Sequence, residues 1–161
     1  MGPRTSPARP ARFSPQLGID RSTMLDVLFR PDFDPKPVTL ENGIVRLEPI
    51  GPEHANALFV AGGQPTIWRF MPRPVFKDLT DAQGWVDDTL KLVESGQAVA
   101  FAIIDVAKNQ PIGSTRYLNI DRANRGIEIG WTWLSIDAQR TGINTNCKYL
   151  LLAHAFEELG A

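Results

Sequence analysis

The residues with the clearest chemical purpose are Gln139-Arg140-Thr141-Gly142-Ile143-Asn144, a one-glycine loop that runs directly into an apolar helical stretch, Thr145 to Leu159. A loop opening into a helix aims several backbone N–H groups at one point. Those of the first turn lack intrahelical acceptors and the helix dipole favours anions, so phosphate oxygens bind well there. Amides from Arg140 to Thr145 would wrap phosphate oxygens, each charge-assisted bond contributing about 1.5–3 kcal/mol. Gly142 lets the backbone approach where a side chain would block an oxygen. Arg140 either adds an ionic contact or stays a solvated loop cation. The second chemical candidate is Glu128, mid-strand among apolar residues, where an unpaired carboxylate is costly and suited to take up a proton as a general base. Its alternative is a cross-strand ion pair with Arg116 or Arg125.

These groups must be held by a small set of elements. Val38–Leu40 and Ile44–Ile50 flank Asn42-Gly43 and read as a hairpin or bent strand. Gly51-Pro52-Glu53 starts a helix carrying Ala55, Leu58 and Phe59, and Gly62-Gly63 stops it. Thr80-Asp81-Ala82-Gln83 reads as the capping box of a second amphipathic helix through Val86, Leu90 and Val93 to Gly96. Three strands follow, Val99–Val106, Ile112–Ile120 and Ile127–Leu134, separated by polar turns. Strict alternation in the last places Ile127, Ile129, Trp131 and Trp133 on one face, and Glu128, Gly130, Thr132 and Leu134 on the other.

A chain of 161 residues with 43% hydrophobic content is one domain's worth of ordinary globular protein. A formal net charge of -1 offers no general field for nucleic acid or acidic membranes, and no apolar run approaches membrane-spanning length. One cysteine, Cys147, allows no internal disulfide and no thiolate zinc cluster, and two histidines make a His-rich metal site unexpected. Cys147 reads as a small core residue. His54 and His154 fall on helices, with surface or capping roles expected. The cytoplasm is the expected address. Pro3, Pro7, Pro10 and Pro15 interleave with Arg4, Arg9, Arg12 and Arg21, so residues 1–37 read as a disordered tail and linker, with Met24 an alternative start and the folded domain at 38–161. No dinucleotide or nucleoside-triphosphate glycine loop occurs to compete with Gly142.

The element order, with Pro111-Ile112-Gly113-Ser114-Thr115, Ile127-Glu128-Ile129-Gly130-Trp131-Thr132-Trp133, the Q-x-x-G loop and Lys148-Tyr149-Leu150, resembles the GCN5-related N-acetyltransferase (GNAT) family, in particular its RimJ/RimL-like branch. Asn144 stands where many members carry Gly or Ala. The resemblance implies an α+β fold, a mixed and mostly antiparallel sheet flanked by helices. It also implies a further strand, a tyrosine-bearing helix and two closing strands, which this sequence is read as lacking. It implies acetyl-CoA as co-substrate, without a metal, bound by Gln139, Arg140, Thr141, Gly142, Ile143, Asn144 and Thr145, with the backbone of Trp133 and Leu134 pairing with the pantetheine arm. Glu128 would deprotonate an amine acceptor, a protein N-terminus or a small molecule, and Trp68, Arg69 and Phe70 would shape its pocket. Trp131 and Trp133 are expected to fill the core with their rings. Two other readings stay open: a non-catalytic or remnant acyl-CoA-binding module, and an interaction domain forming a homodimer through the Ile127–Leu134 edge.

Overall fold

The computed structural model describes residues 32–161, in which five strands form one antiparallel sheet in chain order. The Pro/Arg-rich stretch and Met24 lie outside the described residues. The Asn42-Gly43 signal is realised as a hairpin of β1 (Leu40–Glu41) and β2 (Val45–Pro49), with Leu40 opposite Leu47. Then come α1 (Ala55–Ala61), entered through a 3-10 turn at Pro52–His54 and ended at Gly62, and α2 (Leu79–Glu94). β3 (Val99–Asp105), β4 (Gln110–Asp121) and β5 (Gly126–Leu134) form the meander, and α3 (Ile143–Ala153) follows, continued by a π-helical turn at His154–Glu158.

Period-2 alternation in the central strand splits the core into two layers. Val99, Phe101 and Ile103 pack with Val45, Leu47 and Tyr117 against Ile143, Cys147 and Leu151 of α3. On the opposite face Ala100 joins Leu58, Val86, Trp68, Phe76 and Trp133 beneath α1 and α2. Packing also reaches ahead of Val38, the expected start of the domain: Phe33 is buried under the Arg125 guanidinium, and Asp34 pairs with Arg122.

Several local expectations shift. The cap of α2 is Asp78, whose Oδ1 accepts the Asp81 N–H at 2.8 Å, so the helix opens before the expected Thr80 box. Aspartate caps as well as threonine does, and from this position it reaches the amide of the third helical residue. Neither histidine is at the surface. His54 Nδ1 accepts the Gly51 N–H at 3.0 Å, a capping contact made inside the fold, with Glu48 Oε2 3.1 Å from its Nε2. His154 stacks on Tyr117, whose hydroxyl lies 3.2 Å from Nδ1, and burial pushes its pKa down.

Cys147 is fully buried in the α3 layer, and burial pushes its thiol up to about 11. Iodoacetamide at neutral pH is therefore expected to leave it unmodified in the folded chain and to label it once urea unfolds the protein. Labelling at equal rates in both states would contradict that placement.

The largest correction concerns β5. Its register against β4 slips between Ser114–Trp133 and Arg116–Gly130, and Trp131 sits at φ 51°, so an extra residue enters the strand as a bulge. The alternation changes phase there. Ile127 and Ile129 face the α3 layer, but Trp133 lies in the α1/α2 layer and Leu134 in the α3 layer. Trp131 turns to the α2 side beneath Arg116, whose guanidinium is 4.7 Å from the ring centroid.

Candidate active-site cleft

The loop after β5 has an unusual backbone, with Arg140 at φ 62° and Gly142 at φ 82°, both left-handed. A Cβ on Gly142 would meet no heavy atom within 4 Å, so glycine is required here by its dihedral rather than by crowding from the protein. Thr141 Oγ1 donates to the Ala138 carbonyl at 2.7 Å and pins the turn. The first helical bond runs from Asn146 N–H to the Gly142 carbonyl at 3.0 Å, and the Asn146 side chain donates to the same oxygen. The amides of Ile143, Asn144 and Thr145 lie ahead of that bond, as an anion site requires. Asn42 Nδ2 donates to Asn146 Oδ1 at 2.8 Å and ties the loop to the β1–β2 turn.

A cleft of about 340 Å³ runs from this loop along the end of β5. Trp133, Leu134, Gln139, Arg140 and Asn144 line it, which brings together five of the nine residues expected to hold a cofactor. The side chain of Ile143 is core. Gln139 Nε2 donates to the Leu134 carbonyl at 3.0 Å and braces the strand end. β5 is an outer strand of the sheet, so its far side carries backbone donors and acceptors open to an extended ligand. Sequence reasoning missed three lining residues, Ile67, Thr132 and Lys148. Lys148 follows Asn144 by four positions, and that helical spacing was the available signal.

The two other expected groups are arranged differently. Glu128 is exposed rather than set among apolar side chains, and it accepts a 2.6 Å bond from Asn119 Nδ2. Arg116 does not pair with it. That guanidinium is 4% exposed, stands over Trp131 and Trp85, and donates weakly to Thr89 Oγ1 at 3.4 Å, with burial pushing its pKa down to about 10. Arg125 donates to the carbonyls of Leu159 and Gly160. Of the segment Trp68-Arg69-Phe70, Trp68 is core: it is 4% exposed, donates to the Gly62 carbonyl at 2.7 Å and packs edge-on against Phe76. Arg69 and Phe70 are exposed, with the guanidinium 5.2 Å from the ring centroid.

A meander sheet, a bulged outer strand and a left-handed loop feeding a helix with unpaired first-turn amides together set an anion-binding corner beside an open strand edge. The model of the acetyltransferase (GNAT) domain matches residues 45–161, and the chain belongs to this family. A solved GCN5-related N-acetyltransferase from Brucella melitensis is 27% identical, with a TM-score of 0.73 over 79% of this chain and 58% of that one. The microcin C7 self-immunity acetyltransferase MccE, solved with acetyl-CoA and AMP, is 23% identical with a TM-score of 0.65 over 74% of this chain and 66% of its own. RimL, a ribosomal L7/L12 α-N-protein acetyltransferase, is 20% identical with a TM-score of 0.65 over 77% and 67%. The last two likenesses speak to the fold alone. The chain thus spans less than two thirds of the Brucella structure's length. No curated protein matches significantly. Among the described residues no helix is long and apolar enough to cross a membrane.

Proposed function

We propose that this chain carries the acyl-CoA site of a cytoplasmic N-acetyltransferase of the RimJ/RimL-like branch, moving acetyl from acetyl-CoA to a primary amine by direct attack. The observation that carries this reading is the continuity of the cleft, which joins the open edge of β5 to a loop of unpaired amides flanked by Arg140. Those donors suit a diphosphate, and the strand edge suits the amide-bearing arm behind it. In this arrangement the loop holds and orients the donor, Trp133 and Leu134 fix the arm's register, and Glu128 takes the amine's proton through solvent. The acceptor is a small molecule or a protein N-terminus reaching the side that bears Arg69 and Phe70.

Acetyl-CoA at a hundredfold over its Kd stabilises a protein by about 2.7 kcal/mol, so a rise in the melting midpoint of roughly 5–10 °C is expected for the 161-residue chain. No rise at millimolar ligand would reject the reading. Glu128→Gln is expected to lower turnover about a hundredfold with unchanged acetyl-CoA affinity. One observation favours a second reading, a non-catalytic acyl-CoA-binding module: Glu128 is absent from the cleft lining. Turnover that is indifferent to Glu128→Gln at every pH would remove it from the mechanism.

A further inference from the structure

Lys148 is a half-buried ammonium that has no carboxylate opposite it among the described residues. Its Nζ donates to Thr132 Oγ1 at 2.8 Å, and Thr132 shares a second 2.8 Å bond with Thr115 on β4. Lys148 lines the cleft beside Thr132, Trp133 and Leu134, one helical turn beyond Asn144. A cation drawn partly out of water and compensated only by a hydroxyl is costly, and the cost is offset when an anion arrives. The helix N-terminus takes the diphosphate end of the cleft. Lys148 is hydrogen-bonded to Thr132, next to Trp131 at the bulge of β5 and on the strand side of the cleft away from the loop. An arm that starts at the loop and pairs with Leu134 and Trp133 ends toward it. In acyl transfer the atom that becomes negative at that end is sulfur.

We infer that Lys148 faces the thioester sulfur and gives the departing thiolate its proton, a role that rests on the N-acetyltransferase reading above. The step balances. The amine nitrogen bonds to the carbonyl carbon, the carbon–sulfur bond breaks with its electron pair left on sulfur, and the nitrogen's surplus proton goes to base. One Nζ proton passes to sulfur, and the neutral lysine regains one from water. Thr132 holds Nζ at the bulge and Thr115 orients Thr132. Burial pushes the Lys148 pKa down, which makes the ammonium a better acid.

The test titrates the thiol of CoA bound to the full chain, through its thiolate absorbance in the ultraviolet, in the parent, Lys148→Met and Lys148→Arg. An ammonium beside sulfur favours the thiolate, so the bound thiol is expected to ionise about one pH unit or more higher in Lys148→Met than in the parent. Lys148→Arg keeps the charge but gives up no proton, so it restores the parent's thiol titration while acetyl transfer stays about a hundredfold down. If Lys148→Met fails to fold, the parent and Lys148→Arg still decide through their pH profiles. A proton-donating lysine makes the parent's turnover fall at high pH as the ammonium is lost, a limb that Lys148→Arg lacks, whereas a merely structural lysine leaves both profiles the same shape. Bound CoA that titrates alike in parent and Lys148→Met, or full turnover in Lys148→Arg, overturns the role of Lys148 and leaves the binding reading standing. CoA that does not bind the parent overturns the acyl-CoA reading itself.

Discussion

Gly142→Glu is expected to abolish stabilisation by acetyl-CoA while leaving the chain folded. Glycine occupies φ 82° at the start of α3, and an L-residue held there costs about 1–2 kcal/mol. A carboxylate at a helix N-terminus returns part of that through the dipole and the unpaired amides. The same contacts defeat ligand binding, because the introduced carboxylate competes with the diphosphate for one set of donors and repels it. Gly142→Ala separates the two effects: it strains the backbone without adding charge, and is expected to weaken acetyl-CoA by only about tenfold against a hundredfold or more for glutamate. The measurement is the ligand-induced shift of the melting midpoint, read beside calorimetric affinity. An undiminished shift in Gly142→Glu would show that the ligand does not use this loop.

Among the described glycines, Gly113→Ala is expected to cost the most stability. Gly113 faces Leu134 across β4 and β5, and a Cβ there would stand 2.1 Å from the Trp133 carbonyl oxygen and 3.0 Å from Leu134 Cα. Both neighbours are backbone, so neither can rotate aside. The strands must part next to the bulge, at the place where Ser135 N–H reaches the Ile112 carbonyl at 2.8 Å. Overpacking against side chains costs about 1–3 kcal/mol, and against backbone more, so a loss of at least about 3 kcal/mol is expected in urea unfolding. Since Trp133 and Leu134 line the cleft, acetyl-CoA affinity should fall even at temperatures where the variant stays folded. A loss under 1 kcal/mol with intact binding would mean that the strands separate freely here.

Much of this frame was legible beforehand because its signals are local. Proline after Gly51, the Asn42-Gly43 turn, the three β-branched runs and the glycine ahead of an apolar helix each act through the dihedrals of a few adjacent residues. The bulge was not, since alternation along Ile127–Leu134 says nothing about where β4 forces an extra residue into the ladder. The same blindness misplaced Glu128. Neighbours in sequence suggested burial, whereas a strand side chain's exposure depends on what covers its face, and over Glu128 there is Asn119 rather than an apolar layer.

The amino-acid sequence alone determined the order of the elements and the loop that opens α3, because backbone preference and hydrophobic period are written within single segments. Only the tertiary structure decided that Trp133 turns into the α1/α2 layer, that Trp68 is core while Arg69 and Phe70 are exposed, and that Lys148 reaches Thr132 across the cleft. Each of those depends on register and on contacts between residues far apart in the chain, and such contacts form only when the whole sheet closes against its helices.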